Sequence, residues 1–244
     1  MVLSPLAGGF DTTWRSRLES LLSSGRGSGA DLVEVFLERT DHIGLLAEQD
    51  TITSVSPAFG MGAGIRVFRG DRDGFVSTND LSEVGLNHAL EQALGMLGLA
   101  PTASSVSSFE GLKDFCDFAA TKADWLQRCP GIQEATGTLL GGTSALERHG
   151  HHLQARRGSY ARDWQEVLVA ASDGTFARDI RLHQSLGLNV LAADGDHRAG
   201  LGRRYGTSGR PDDLRQWDAD GSAQEVCSSA GTMLYADYVE AGQM

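Results

Sequence analysis

The chain has 244 residues and a mass of 26.0 kDa, with 21 Lys and Arg against 32 Asp and Glu, a formal charge of −11. Hydrophobic residues make up 41% and charged residues 22%, which excludes a disordered tail and a coiled coil. The acidic balance argues against a nucleic-acid backbone as the main partner, because such binding rests on neutralised phosphates. The size fits one large domain or two of about 100–130 residues each.

Thr12 or Thr13 is placed to cap an opening helix, whose apolar stripe is Trp14, Leu18, Leu21 and Leu22 and which stops in the run Gly25 to Gly29. Residues 31 to 39 alternate with Val33, Val35 and Leu37 on one face, predicting a strand. Further strands are expected over 42 to 47 and through Ile52 and Val55. Gly64 to Phe68 and Gly74 to Thr78 flank a turn at Gly70 to Asp73 and predict a hairpin. Asp80, with Glu83 three residues on, predicts the cap of a helix carrying Leu86, Leu90, Ala93, Leu94 and Leu97. Residues 100 to 110 are small and polar and mark a domain boundary.

Beyond it, helical stretches are expected from Ala119 to Arg128 and from Ile132 to Leu146. Strands are expected over 151–159, 164–171, 175–183, 185–193 and 196–201, with a hairpin turn at Ser172 to Gly174. Asp220 or Ser222 starts a closing helix with Ala223, Val226, Cys227, Ala230 and Leu234 on its face. With 31 glycines and only 5 prolines, the pattern reads as α+β. It predicts two units, each a mostly antiparallel sheet with helices packed on one face, covering residues 1–99 and 111–244 around a linker at 100–110.

Chemistry-bearing motifs are sparse. The cations comprise Lys113, Lys122 and 19 arginines, and neither lysine sits in a phosphate-binding loop. Cys116, Cys129 and Cys227 are odd in number and far apart, as expected of reduced thiols rather than a disulfide framework. No histidine is followed by glutamate, so the chain carries no metalloprotease helix motif. His149, His151 and His152 form the one dense cluster of candidate ligands. On an extended chain His149 and His151 would face the same way, either to chelate a divalent ion or as part of a solvated loop. Gly60-Met-Gly-Ala-Gly64 looks like a dinucleotide loop but leads into a strand, so it reads as a close approach of backbones. Asp218-Ala-Asp-Gly221 lacks the twelfth-position glutamate of a calcium loop and reads as an aspartate-rich helix start. Arg198, Arg203 and Arg204, near Tyr205, either hold an anion or form a salt-bridged rim. No 18-residue apolar run and no leader-like start at Met1 to Phe10 are present, so a soluble, cytoplasmic protein is expected.

Gly62-Ala-Gly-Ile-Arg-Val-Phe-Arg-Gly70, followed by Gly74-Phe-Val-Ser-Thr78 and a helix, resembles the first domain of the TldD/PmbA family. Val167-Leu-Val-Ala-Ala-Ser-Asp-Gly174 and Gly202-Arg-Arg-Tyr205 resemble its middle domain, and Tyr235 to Met244 resembles the linker before its catalytic domain. The resemblance implies zinc metallopeptidases, also labelled modulators of DNA gyrase, that act on peptides as homodimers or heterodimers. Their zinc is held by a His-Glu motif in a C-terminal domain, and no position of this sequence matches those ligands. The expectation is therefore a non-catalytic N-terminal portion, inactive alone and without its own cofactor, serving dimerisation and peptide access. The alternative is a regulatory binding protein without proteolytic activity. The hairpin of residues 62–78, with Gly62, Gly64, Arg66 and Gly74, is the candidate peptide-edge or subunit-contact strand.

Overall fold

In the computed structural model, residues 9–101, 110–237 and 242 are described. The boundary stretch expected at 100–110 and the family-like tail after Asp237 lie almost wholly outside them. In chain order the elements are α1 (Arg15–Gly27), β1 (Leu32–Glu48), β2 (Thr51–Arg69), β3 (Arg72–Thr78), α2 (Glu83–Met96), β4 (Cys116–Asp117), α3 (Trp125–Arg128), α4 (Ile132–His149), β5 (Leu153–Ala171), β6 (Phe176–Asp194), β7 (His197–Ser208) and α5 (Ala219–Leu234).

The α+β class holds, but the strands belong to one sheet rather than two. Its order is β3-β2-β1-β5-β6-β4, with β7 also paired to β6. The β2–β3 and β6–β7 ladders are antiparallel and the short β4 runs parallel to β6. Two compact units share these strands and interleave along the chain. The first draws on Met1–Thr40, Phe59–Asp124 and Gln165–Arg181, the second on Asp41–Ala58, Trp125–Trp164 and Leu182–Met244.

In the first unit, the stripe Leu18, Leu21 and Leu22 of α1 and Leu86, Leu90, Ala93 and Leu94 of α2 pack on Val33, Val35, Leu37, Ile65 and Val67. Period-2 alternation puts those strand residues on one face, and each buried Leu, Ile or Val contributes about 1.5–3 kcal/mol. The α2 cap lies two residues later than expected: the Ser82 hydroxyl accepts from the Gly85 N–H, while Asp80 instead accepts from the Ser82 N–H. Asp11, rather than a threonine, caps the opening turn by accepting from the Thr13 N–H.

In the second unit, α4 and α5 cover the sheet through Leu139, Ala145, Leu146, Val226 and Ala230, which meet Leu45, Tyr160, Leu186, Leu188 and Val190. The Asp218 carboxylate accepts from the Gly221 N–H and starts α5, so the calcium-like tetrapeptide is a helix cap. No helix among the described residues is long and apolar enough to cross a membrane.

Candidate functional site

On the helix-free face of the first unit, a groove of about 370 Å³ runs over β2. Its floor is Gly60, Gly62 and Gly64, and the absence of side chains there makes the depth. A Cβ at Gly60 would lie 2.8 Å from Thr40 Oγ1, and one at Gly62 would lie 3.0 Å from both Asn79 Oδ1 and the Thr78 carbonyl oxygen. At Gly64 it would meet the Phe75 ring at 3.0 Å. Phe75 can lie across the strand only because Gly64 offers a bare backbone.

The walls are Phe36, Glu38 and Thr40 of β1 and Phe75 and Ser77 of β3. Phe36 and Phe75 are 39% and 55% exposed, and Met61, which also lines the groove, is exposed. The one carboxylate among these walls, Glu38, accepts from the Gln165 amide. Backbone groups add a second feature. The β2–β3 register stops at the Ala63–Thr78 pair, and among the described residues no strand pairs beyond it along that edge of Phe59–Gly62. Unpaired strand edges of this kind accept an added extended segment.

The four residues singled out from the sequence separate in space. Gly62 and Gly64 lie in the groove floor. Arg66 is next along the same face, but its Nε donates to Asp73 Oδ2 at 2.8 Å and its guanidinium stacks 5.0 Å from the Phe68 ring centre, which ties it into the hairpin. Gly74 is on the opposite, helix-covered face, where a Cβ would run into the Ala93 carbonyl oxygen and Met96 Cβ of α2. Its bare backbone lets α2 sit close to the sheet. The walls Phe36 and Phe75 lie outside the sequence expectation, although their signal is readable: each is a large apolar residue on the polar parity of its strand.

The histidine cluster is arranged otherwise than an extended chain would place it. His149 is the last residue of α4, and its Nε2 meets Asp220 Oδ2 at 2.9 Å. Hydrogen bonds from Arg148 and His149 hold the Asp220 carboxyl below the usual carboxylate range. His149, His151 and His152 line a cavity of about 610 Å³ with Cys227 and Tyr235. Burial pushes the Cys227 thiol up, away from the thiolate that a soft metal needs. Among the described residues no three of His, Cys, Asp or Glu are grouped so as to hold a metal ion.

Family models match most of the chain: "PmbA/TldA metallopeptidase domain 1" over residues 33–97 and "PmbA/TldA metallopeptidase central domain" over residues 127–234. No curated protein matches. Among solved structures, a "putative modulator of a DNA gyrase" from Thermotoga maritima superposes with a TM-score of 0.70 at 12% identity, over 93% of this chain and 50% of that one. TldE from Thermococcus kodakarensis gives 0.64 at 18% identity, over 88% and 47%. A protein of similar description from Bacteroides thetaiotaomicron gives 0.60 at 14% identity, over 92% and 51%. The chain thus spans about half the length of the solved structures it matches. Its two matched domains, in this order and with this fold, place the chain in the PmbA/TldD metallopeptidase family.

Proposed function

We propose that these residues form a non-catalytic, N-terminal and central portion of a TldD/PmbA-type zinc metallopeptidase, serving subunit association and the access of an extended peptide to a hydrolytic centre built from other residues. The observation that carries this reading is the open edge of Phe59–Gly62 beside the glycine-floored groove. An extended peptide added there gains backbone hydrogen bonds that do not depend on its sequence, while Phe36 and Phe75 offer apolar contact to alternate side chains. The described histidines, cysteines and carboxylates are not grouped to form a zinc site.

A fluorescent, unstructured peptide titrated into the chain tests the reading, with anisotropy as the readout. Binding is expected, and Gly62→Val is expected to weaken it about tenfold by projecting a side chain against the edge and Asn79. A peptide N-methylated at alternate positions loses the donors that pair with the edge and is expected to bind no better than the variant. Equal affinity of the wild-type chain for both peptides would refute edge addition. Sedimentation of the same variants reads subunit association. A chain that binds no peptide but associates with a folded protein partner would favour a regulatory binding role.

A further inference from the structure

Of the three arginines clustered near Tyr205, the structure pairs two. Arg198 donates to Gln154 Oε1 at 2.6 Å, and Arg203 forms an ion pair with Glu225 Oε1 at 2.9 Å. Arg204 has no hydrogen-bond or ion-pair partner among the described residues and lines a depression of about 260 Å³ in the second unit. That depression lies on the sheet face turned away from α4. On β6, Ser185 lines it and Gly187 shares that face by alternation, while Leu186 and Leu188 enter the core.

Glycines make the hollow. In the β6–β7 register Gly187 stands opposite Arg204 and Ser185 opposite Gly206. Ser159 Oγ leans over Gly187, 2.5 Å from where a Cβ would stand. On β1, Gly44 leaves His42 Nε2 facing the hollow, 3.2 Å from its own missing Cβ. The other ring nitrogen, Nδ1, is held by Asp163 Oδ1 at 2.7 Å. One uncommitted guanidinium therefore faces the same small space as the hydroxyls of Ser56, Ser159 and Ser185, with Leu46 and Ala161 as apolar lining.

The geometry points to a binding site for a small oxyanion, a carboxylate or a phosphate monoester, with Arg204 as its charge partner and the serine hydroxyls as neutral donors. An arginine fork matches both anions in two parallel hydrogen bonds, and hydroxyls supply donors without adding charge. The hollow exceeds the volume of the anionic head alone, so the ligand carries a short apolar body that rests on Leu46 and Ala161.

Calorimetric titration of the full chain at low ionic strength with inorganic phosphate, and separately with acetate, tests this. Saturable binding of at least one anion in about the millimolar range is expected. Whichever anion binds more tightly identifies the head group as phosphate or carboxylate. Arg204→Gln is expected to weaken binding about tenfold or more, and Arg203→Gln to leave it unchanged. Ser185→Ala, which removes one lining hydroxyl without adding bulk, is expected to weaken binding with the circular dichroism unaltered. Absence of saturable binding by the wild-type chain, or equal affinities of wild type and Arg204→Gln, would overturn the assignment.

Discussion

Arg39 and Glu166 meet on the helix-covered side of the sheet in the first unit, where the Glu166 side chain is wholly excluded from solvent. The same carboxylate accepts from Arg178 Nε at 2.7 Å and from the Phe10 N–H at 3.1 Å. Two guanidiniums and one backbone donor thus converge on a single buried acid. Its removal takes the shared buried acid from both guanidiniums, while Arg178 keeps an ion pair with Asp117 at 3.4 Å; losing one partner of a comparable buried pair costs about 3–5 kcal/mol. Glu166→Ala is expected to lower the urea midpoint, with an unfolding free energy reduced by up to that amount, and to release the Phe10 segment, read as faster amide exchange at Phe10. An unchanged midpoint would show that water replaces the acid.

Glycines in α4 offer a paired test of packing against backbone entropy. A Cβ at Gly137 or Gly141 meets nothing within 4 Å. Alanine there is expected to stabilise by about 0.5–1 kcal/mol, because it restricts the unfolded chain and suits the helix. At Gly142 the added methyl would stand 3.0 Å from Trp217 and 3.1 Å from Leu188, so Gly142→Ala is expected to destabilise by about 1–3 kcal/mol. Thermal melts of the three variants read both signs.

Much of the first unit is legible from periodicity: α1, α2, the alternation of Val33, Val35 and Leu37, and the β2–β3 hairpin all appear where spacing places them. Strand length is not. The segments expected at 31–39 and 42–47 are one strand, as are 151–159 with 164–171 and 175–183 with 185–193. Each expected break falls on polar residues, and the structure shows why they stay in the ladder. Asp41 pairs with Arg162, and His42 with Asp163 at 2.7 Å; Gln184 donates to the carbonyls of Arg210 and Pro211. Partners up to 121 residues away leave no trace in a local window. The groove was half legible, because its glycines stand out in sequence while Phe36 and Phe75 acquire meaning only once the register is known.

Acid sensitivity is expected at the Arg215 cluster of the second unit. Arg215 bridges Glu134 and Asp212. Its hydrogen bonds hold the Glu134 carboxyl below the ordinary value of 4.5, and Arg128 and Arg215 hold that of Asp212 below 3.8. Both carboxyls are lowered in the folded state, so their contribution is complete above those ordinary values and is lost as pH falls through them toward the lower folded values. Arg215→Gln is expected to lower the urea midpoint modestly near about pH 6, since exposed pairs contribute little. The gap from wild type is expected to narrow as the pH falls below those ordinary values and the two acids take up protons. A gap that persists in acid would assign the effect to packing of the arginine stem.

Thiol reactivity separates the three cysteines by environment. Cys116 is exposed, whereas Cys129 and Cys227 are buried. Burial pushes the Cys129 thiol up to about 11, so near pH 8 only about one molecule in a thousand carries the reactive thiolate there. Cys227 is raised by burial as well, and its Sγ lies 3.5 Å from the Leu146 carbonyl oxygen. A disulfide-exchange reagent is therefore expected to modify one thiol per native chain rapidly, and all three free cysteines only in denaturant. Cys116→Ser is expected to abolish the fast phase and leave the slow phases unchanged. The slow phases then report opening of the two buried sites, and their suppression below neutral pH would follow the thiolate fraction if chemistry, rather than opening, limits the rate. A native chain that loses two thiols at the fast rate would mean that Cys129 or Cys227 is not shielded, and that the packing of the second unit is looser than its buried core requires.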